Sequence, residues 1–435
     1  MGIYGYENAF GAVDRTSRAM RRAIGDWARL YYGDGAEEGT DPSQRVAYTV
    51  VNKLCKSIFG EYQAAAEGDF LKGVVKALDE RRKEAMQLAM VGGECYIKPC
   101  PQGAGFAFSL IPRENVLIFG RDSNGTPTDM GTVACSFHEG FHYTLLERRK
   151  LENGSLVIQY QLYRSRTPEA LGQKVSLWAV PEYRALRPES RYDLDNLGLV
   201  RLKMPMLNCI DGSREPVAVF AAAAGLIRSI DRNEAQLSGE FDRGQSRIIV
   251  SGDMLRDGQL QDNVFVGLDE DPEMVGITAF APALREQSYL ARKQEYLRNV
   301  ESIVGLKRGM LSDANTEDRT ATEIATSAGD YNVTVIDLQG AWEQAVMETA
   351  ALCLRLGQLY GMAAEPGRVS IDWGNGVLYD EDKTWNDYKE MVAAGLLKPE
   401  IALGWRFHMD AGSEEARAVI REKLMPEVEM DEQAQ

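Results

Sequence analysis

The chain has 435 residues, enough for more than one hydrophobic core. Hydrophobic residues make up 44% and charged residues 26%, as in an ordinary globular protein, and no run reaches the roughly 18 to 20 apolar residues of a membrane span. The 49 basic and 65 acidic residues leave a net charge of −16, which argues against tight wrapping of nucleic acid but does not exclude a protein that lets DNA slide past, because an acidic wall repels phosphate.

The N-terminal "MGIYGYENAF" lacks the basic-then-apolar pattern of a signal peptide, and Tyr6 stands where a myristoylation motif needs Ser or Thr. A cytosolic origin is therefore expected, with the six scattered cysteines reduced and structural. Two helices are predicted between residues 42 and 91. In "DPSQRVAYTVVNKLCKSIF", Val46, Val50, Leu54 and Ile58 recur at helical spacing. "DFLKGVVKALDERRKEAMQLAMVGG" opens on Asp69 and closes on Gly92 and Gly93, a C-cap signal.

From Glu94 to about Val180 short apolar runs predict one antiparallel meander, with Asn124-Gly125 and Asn153-Gly154 as hairpin turns. Helix is expected again over 213–243, with Pro216 in its first turn, and over 284–304. Between them, 244–283 is a strand-and-turn insert with two Arg against seven Asp or Glu.

The segment "DRTATEIATSAGDYNVTV" begins as a helix, with Thr320 and Glu323 forming a capping box, and then meets Gly329 and a β-branched run. Counting onward, Ile324, Ala328, Tyr331, Val335, Leu338, Trp342, Ala345, Thr349, Leu352 and Leu356 alternate spacings of four and three. A register kept through weak helix formers implies a helix held by packing. From Thr320 to Tyr360 it would be about 60 Å long. Gly329 and Gly340 are the expected hinge. A strand, "RVSIDW", a helix, "TWNDYKEMVAAGLL", and an amphipathic stretch, Glu414 to Lys423, follow; the acidic last ten residues should fray.

Few residues suggest chemistry. Cys135, His138 and His142 form C-x2-H-x3-H, but strand alternation separates them and no fourth zinc ligand is evident. "GDGAEEG" and "GAGF" lack the residues of a phosphate loop. The acid run "LDEDPEM" lacks the calcium-loop pattern. No catalytic, cofactor or metal residues are therefore expected. The loop Gly305–Arg319, "GLKRGMLSDANTEDR", is more informative. Fifteen aperiodic residues between long helices are unusual in a compact domain and are often functional.

The order of these parts resembles the portal proteins of tailed double-stranded DNA bacteriophages, of the long-tailed siphophage type. Four stretches carry the resemblance: "GGECYIKPC" with "SLIPRENVLIFGRDSNG", "YTLLERRKLENGSLVIQYQLYRS", "VGLKRGMLSDANTEDRTATEIATSAGDY" and "VSIDWGNGVLYDEDKT". It implies an α+β portal fold. The wing would be 1–212, the stem helices 213–243 and 284–304, and the clip 244–283. A tunnel loop would occupy 305–319, a long bent helix 320–361, and the returning wing strand and crown 362–435. The tunnel-loop residues would be Lys307, Arg308, Asp313, Glu317, Asp318 and Arg319. The implied partners are the chain itself in a ring of about twelve subunits, double-stranded DNA, the large terminase subunit, a head–tail adaptor, and the major capsid protein and scaffold. No membrane or cofactor is implied. The ring would sit at one capsid vertex of the virion, assembled in the host bacterial cytoplasm. Two alternatives remain: a non-channel structural protein of a phage head or baseplate, and a nuclease or phosphoryl-transfer component, which would need a motif not evident here.

Overall fold

The computed structural model describes residues 3–33, 42–243, 247–251, 264–267, 278–280, 285–313, 321–374, 381–407, 409 and 411–425. They divide into two units, Met1–Phe59 with Gln63–Ile371, and Gly60–Tyr62 with Asp372–Gln435. The fold is mixed α+β, as expected.

The first unit opens with a short helical turn, α1 (Glu7–Phe10), and helix α2 (Arg18–Tyr32), which the sequence pattern did not single out. Ser17 caps α2, its Oγ accepting the Met20 N–H at 3.1 Å. Helix α3 (Val46–Ile58) buries Val46, Val50, Leu54 and Ile58, the predicted face. A short strand, β1 (Gln63–Ala66), leads to helix α4 (Asp69–Gly92). Gly93 ends α4 in the left-handed conformation at φ 84°. A Cβ there would sit 2.5 Å from the Pro216 carbonyl oxygen, so this glycine serves both as cap and as the crossing point for a second chain segment.

The predicted single meander is two sheets. Strands β2 (Glu94–Gln102) and β3 (Gly105–Pro112) pair antiparallel, and β10 (Val200–Lys203) joins the other edge of β2. A 3-10 turn at Arg113–Asn115 then redirects the chain into the second sheet. That sheet is the antiparallel meander β4 (Val116–Arg121), β5 (Pro127–His138), β6 (Phe141–Glu152), β7 (Ser155–Ser165) and β8 (Gln173–Val175). Strand β9 (Glu189–Tyr192) shares the outer edge of β7 with β8. The two-residue loops at Glu139-Gly140 and Asn153-Gly154 have positive φ at both positions, the geometry that matches strand twist in tight hairpins. In β5, Gly131 lies against the rings of Phe10 and Phe119, where an added Cβ would sit 2.7 Å from the first ring and 2.9 Å from the second. These rings belong to a cluster with Tyr6, Leu117, Val133 and Leu146 that seats the N-terminus on the meander.

A buried ionic network ties the two sheets together. Arg113, 1% exposed, donates from Nε to Glu94 Oε1 at 2.9 Å and from Nη2 to Glu215 Oε2 at 3.2 Å. It also donates to the Val116 carbonyl at 2.9 Å and to Thr16 Oγ1 at 2.8 Å. Arg201 pairs with the second Glu94 oxygen, and Arg121 reaches Glu215 Oε1 at 2.8 Å. Alongside, Arg21 pairs with Asp14 and donates to the same Val116 carbonyl at 2.9 Å. Elements far apart in sequence are thus clamped at one polar knot.

This knot also corrects the helix expected from residue 213. Helix α5 runs only over Ala224–Arg243, after a 3-10 turn at Ala221–Ala223. Glu215 is held in the network, and Val217, Ala218 and Phe220 are buried as the chain crosses the end of α4. There the Val219 N–H donates to the Met90 carbonyl at 3.0 Å, so tertiary contacts override the helical propensity of the alanines.

The insert contains β11 (Arg247–Ser251), β12 (Val264–Gly267) and β13 (Thr278–Phe280). Strand β11 is central, parallel to β12 and antiparallel to β13. Helix α6 (Glu286–Val304) packs on α5. Arg285 forms a two-point pair with Glu240 at 3.0 and 2.7 Å, while Lys293 meets Glu234 at 2.9 Å. Residue numbers rise along one helix as they fall along the other, so the pair is antiparallel.

Helix α7 (Ala321–Leu359) is continuous over 39 residues, through both Gly329 and Gly340. From Val335 the predicted register is the buried one: Val335, Leu338, Trp342, Ala345, Thr349, Leu352 and Leu356 are all buried. Trp342 meets Phe59 edge-on at 5.6 Å, and Gln339 donates to the Ile58 carbonyl at 3.2 Å. Strand β14 (Val369–Asp372) then pairs with β1.

The second unit holds α8 (Glu381–Ala393), α9 (Pro399–Arg406) and α10 (Glu414–Leu424). Tyr388 meets Trp405 edge-on at 5.1 Å, Ile420 is fully buried, and Arg421 pairs with both Glu400 and Glu414. Helix α9 was missing from the sequence expectation. Its eight residues are too few to establish a period.

Candidate functional site

The described part of the loop after α6, residues 305–313, is built around a buried acid. The inward face of α6 carries Leu297, Val300 and Val304, and Glu301 lies among them, 1% exposed. One carboxylate oxygen of Glu301 accepts the backbone N–H groups of Gly309 at 3.1 Å, Leu311 at 2.5 Å and Ser312 at 2.9 Å. Its other oxygen accepts the Ser312 hydroxyl at 2.8 Å. The donors hold a charge in the interior that would otherwise be costly to desolvate. At the far end, the Asp313 N–H donates to Gln294 Oε1 at 2.9 Å.

The start of the loop is equally constrained. Gly305 caps α6 in the left-handed conformation at φ 76°, its N–H bonded to the Glu301 carbonyl. A Cβ on Gly305 would lie 2.3 Å from Thr334 Oγ1, so the chain leaves α6 pressed against α7. Leu306 turns inward and is buried. A tight turn follows, in which the Met310 N–H donates to the Lys307 carbonyl at 3.1 Å and Gly309 takes φ 89°. This turn presents Lys307 and Arg308, both exposed, above a fixed base.

Among the sequence-predicted residues, Lys307, Arg308 and Asp313 therefore share one short, exposed segment. Glu317, Asp318 and Arg319 lie outside the described residues. Gly329 lies in the helical backbone of α7. Gly340 is exposed on the same helix, with nothing within 4 Å of an added Cβ. Gly340→Ala should consequently stabilise the chain by up to about 1 kcal/mol, the difference between the two residues in an open helical position. The midpoint of chemical denaturation measures this.

Glu301, Ser312 and Gln294 were not anticipated. The available signal was an acid on the apolar face of α6, among Leu297, Val300 and Val304, at a position where a packed helix would carry Leu or Ala.

The other candidates separate. Thr144 faces Cys135 across the sheet, and Phe137 faces His142, which places Cys135 and His142 on one side of the sheet. His138 pairs with Phe141 on the opposite side. Among the described residues no group of three His, Cys, Asp or Glu side chains forms a metal-binding arrangement. The acid run 268–274 lies outside the described residues. Among those described, no helix is long and apolar enough to cross a membrane.

Comparison with known proteins adds no family: no family model matches the chain, and no curated protein matches it.

Proposed function

We propose that the chain is the subunit of a ring-shaped, portal-type channel at a capsid vertex, through which double-stranded DNA enters during packaging and leaves during ejection. The observation that carries this reading is the pinned turn between α6 and α7. It offers two cations on a rigid support between two long helices, in a chain that is otherwise strongly acidic. Such a turn can touch passing phosphates briefly, while the acidic remainder keeps DNA from sticking. The antiparallel pair α5 and α6, flanking a small sheet, suits a stem with a clip at its end. No catalytic residue is assigned. The partners proposed are other copies of the chain, DNA, the terminase motor, the head–tail adaptor and the surrounding capsid and scaffold proteins.

Negative-stain microscopy of the purified chain should reveal closed rings with an axial hole. Particles that stay monomeric at every concentration and salt would overturn the proposal. Within rings, Lys307→Ser with Arg308→Ser should leave assembly intact and lower retention of packaged DNA. It should also make DNA binding less sensitive to salt, the slope falling by about one for each phosphate that is no longer neutralised.

A further inference from the structure

Residues 176–187 join β8 to β9 through two 3-10 turns, Leu177–Ala179 and Pro181–Tyr183. Their backbone bonds span three residues: the Ala179 N–H donates to the Ser176 carbonyl, Tyr183 to Val180, Arg184 to Pro181 and Leu186 to Tyr183. Side chains three apart therefore share a side. Leu177, Val180, Tyr183 and Leu186 turn inward and pack with Tyr143, Leu145 and Leu162 of the meander. The next row, Trp178, Pro181, Arg184 and Arg187, is exposed throughout.

Trp178 is 71% exposed, although an indole gains more from burial than almost any other side chain. Its place is nevertheless fixed. Ser176 Oγ accepts its backbone N–H at 3.3 Å, and Leu177 and Val180 are buried on either side of it. Among the described residues, Trp178 stacks on no ring, and Arg184 and Arg187 form no ion pair. Between residues 173 and 188 three basic residues stand against one acid, Glu182, in a chain of net charge −16. An anchored row of Trp and Arg has the composition of an interface hot spot and loses little freedom on binding.

The same unit carries a surface of opposite character. Across α7 from its buried register, Val333, Ile336, Gly340 and Met347 recur on one exposed side, with Asp337 and Glu348 beside them. Glu348 accepts the Gln344 side-chain N–H at 2.8 Å, and neither acid forms an ion pair among the described residues. Gly340 leaves a notch in this strip, with nothing within 4 Å of an added Cβ.

We infer that Trp178 of one copy seats in the Gly340 notch of the next copy, with Arg184 and Arg187 toward Asp337 and Glu348. Charge complementarity selects this occupant. Two such rows cannot meet face to face, since Arg would oppose Arg, so contact between copies joins unlike surfaces. A head-to-tail contact of that kind generates rings rather than closed dimers. The inference rests on the ring reading above and specifies one contact within it.

Sedimentation velocity over a concentration series tests it. Trp178→Ala, and separately Gly340→Leu, should raise the concentration at which rings form by at least about tenfold, the scale of one lost anchor. Both positions are exposed, so thermal midpoints of the unassembled chain should stay at or above the wild-type value. Arg184→Glu with Arg187→Glu should weaken assembly likewise, as should Asp337→Arg with Glu348→Arg. All four changes in one chain should restore it. A wild-type chain that never assembles would overturn the ring reading together with this contact. Wild-type rings with equal assembly of Trp178→Ala, or a quadruple variant no better than either pair, would overturn the contact alone.

Discussion

Arg113→Met is expected to cost roughly 3–5 kcal/mol, the range for removing one partner of a buried, hydrogen-bonded charge pair. The size follows from what the substitution strands. Glu94 is fully buried and Glu215 nearly so, and both face the same guanidinium. Without it they share Arg201 and Arg121, and both the Val116 carbonyl and Thr16 lose a donor. A loss of this size is a large fraction of the roughly 5–15 kcal/mol that holds a typical domain together. Arg113→Lys should fall between the two, because it keeps the charge but not the fork that serves four acceptors. Adding Glu94→Gln to Arg113→Met should restore part of the loss, because the stranded charge is then gone. A double variant no more stable than Arg113→Met alone would show that packing, not charge pairing, dominates at this knot. Denaturant midpoints for the four chains measure all these differences.

The same network makes stability depend on pH. Burial alone would raise the Glu94 carboxyl, but Arg201 and Arg113 beside it outweigh burial and hold it below the ordinary 4.5. Glu147 behaves alike: burial opposes ionisation, and Arg149 and Lys98 reverse the effect. In the unfolded chain both acids take up protons near their ordinary value, whereas in the folded chain they do so only at lower pH. Their contribution is therefore complete above about pH 5 and declines as pH falls through the folded values. Thermal midpoints should hold between neutral pH and about 5, then drop, and Glu94→Gln should make that drop shallower.

The outcome of the sequence reading depended on how local each signal was. The face of α3, the cap of α4, the Asn153-Gly154 turn and the buried register of α7 from Val335 onward are set by spacing or by one residue's backbone freedom, and all appear as expected. The errors lie where distant residues decide. Nothing near Ala221 announces that Glu215 is held by Arg113 and Arg121, so the start of α5 read as a longer helix. Nothing in "PRENV" announces a change of sheet, because the turn is fixed by partners at Thr16 and Glu215. The loop cations were legible through the length of their aperiodic segment. Their support was legible only as an acid on the apolar face of α6, since nothing in the sequence shows that residues 309–312 fold onto Glu301.

That support yields the prediction most specific to function. Glu301→Ala removes an acceptor from three backbone N–H groups and one hydroxyl that are folded around it. Each unsatisfied buried donor costs about 1–3 kcal/mol, so the loop should open to water rather than keep its shape. The global cost should then be smaller than that of Arg113→Met, about 2–3 kcal/mol, because opening one loop spares the sheets. The local effect should be large. Amide hydrogen exchange at residues 309–312 should rise by at least about tenfold, with the Arg113 region unchanged. Glu301→Gln should give a milder version, since a neutral amide oxygen accepts the same hydrogen bonds more weakly. If the cations on this turn guide DNA, rings of Glu301→Ala should assemble but retain DNA as poorly as the Lys307→Ser, Arg308→Ser rings. Retention at the wild-type level, with the loop shown to be open by exchange, would mean that the position of the turn is irrelevant to DNA. It would then leave Glu301 as a purely structural cap for α6.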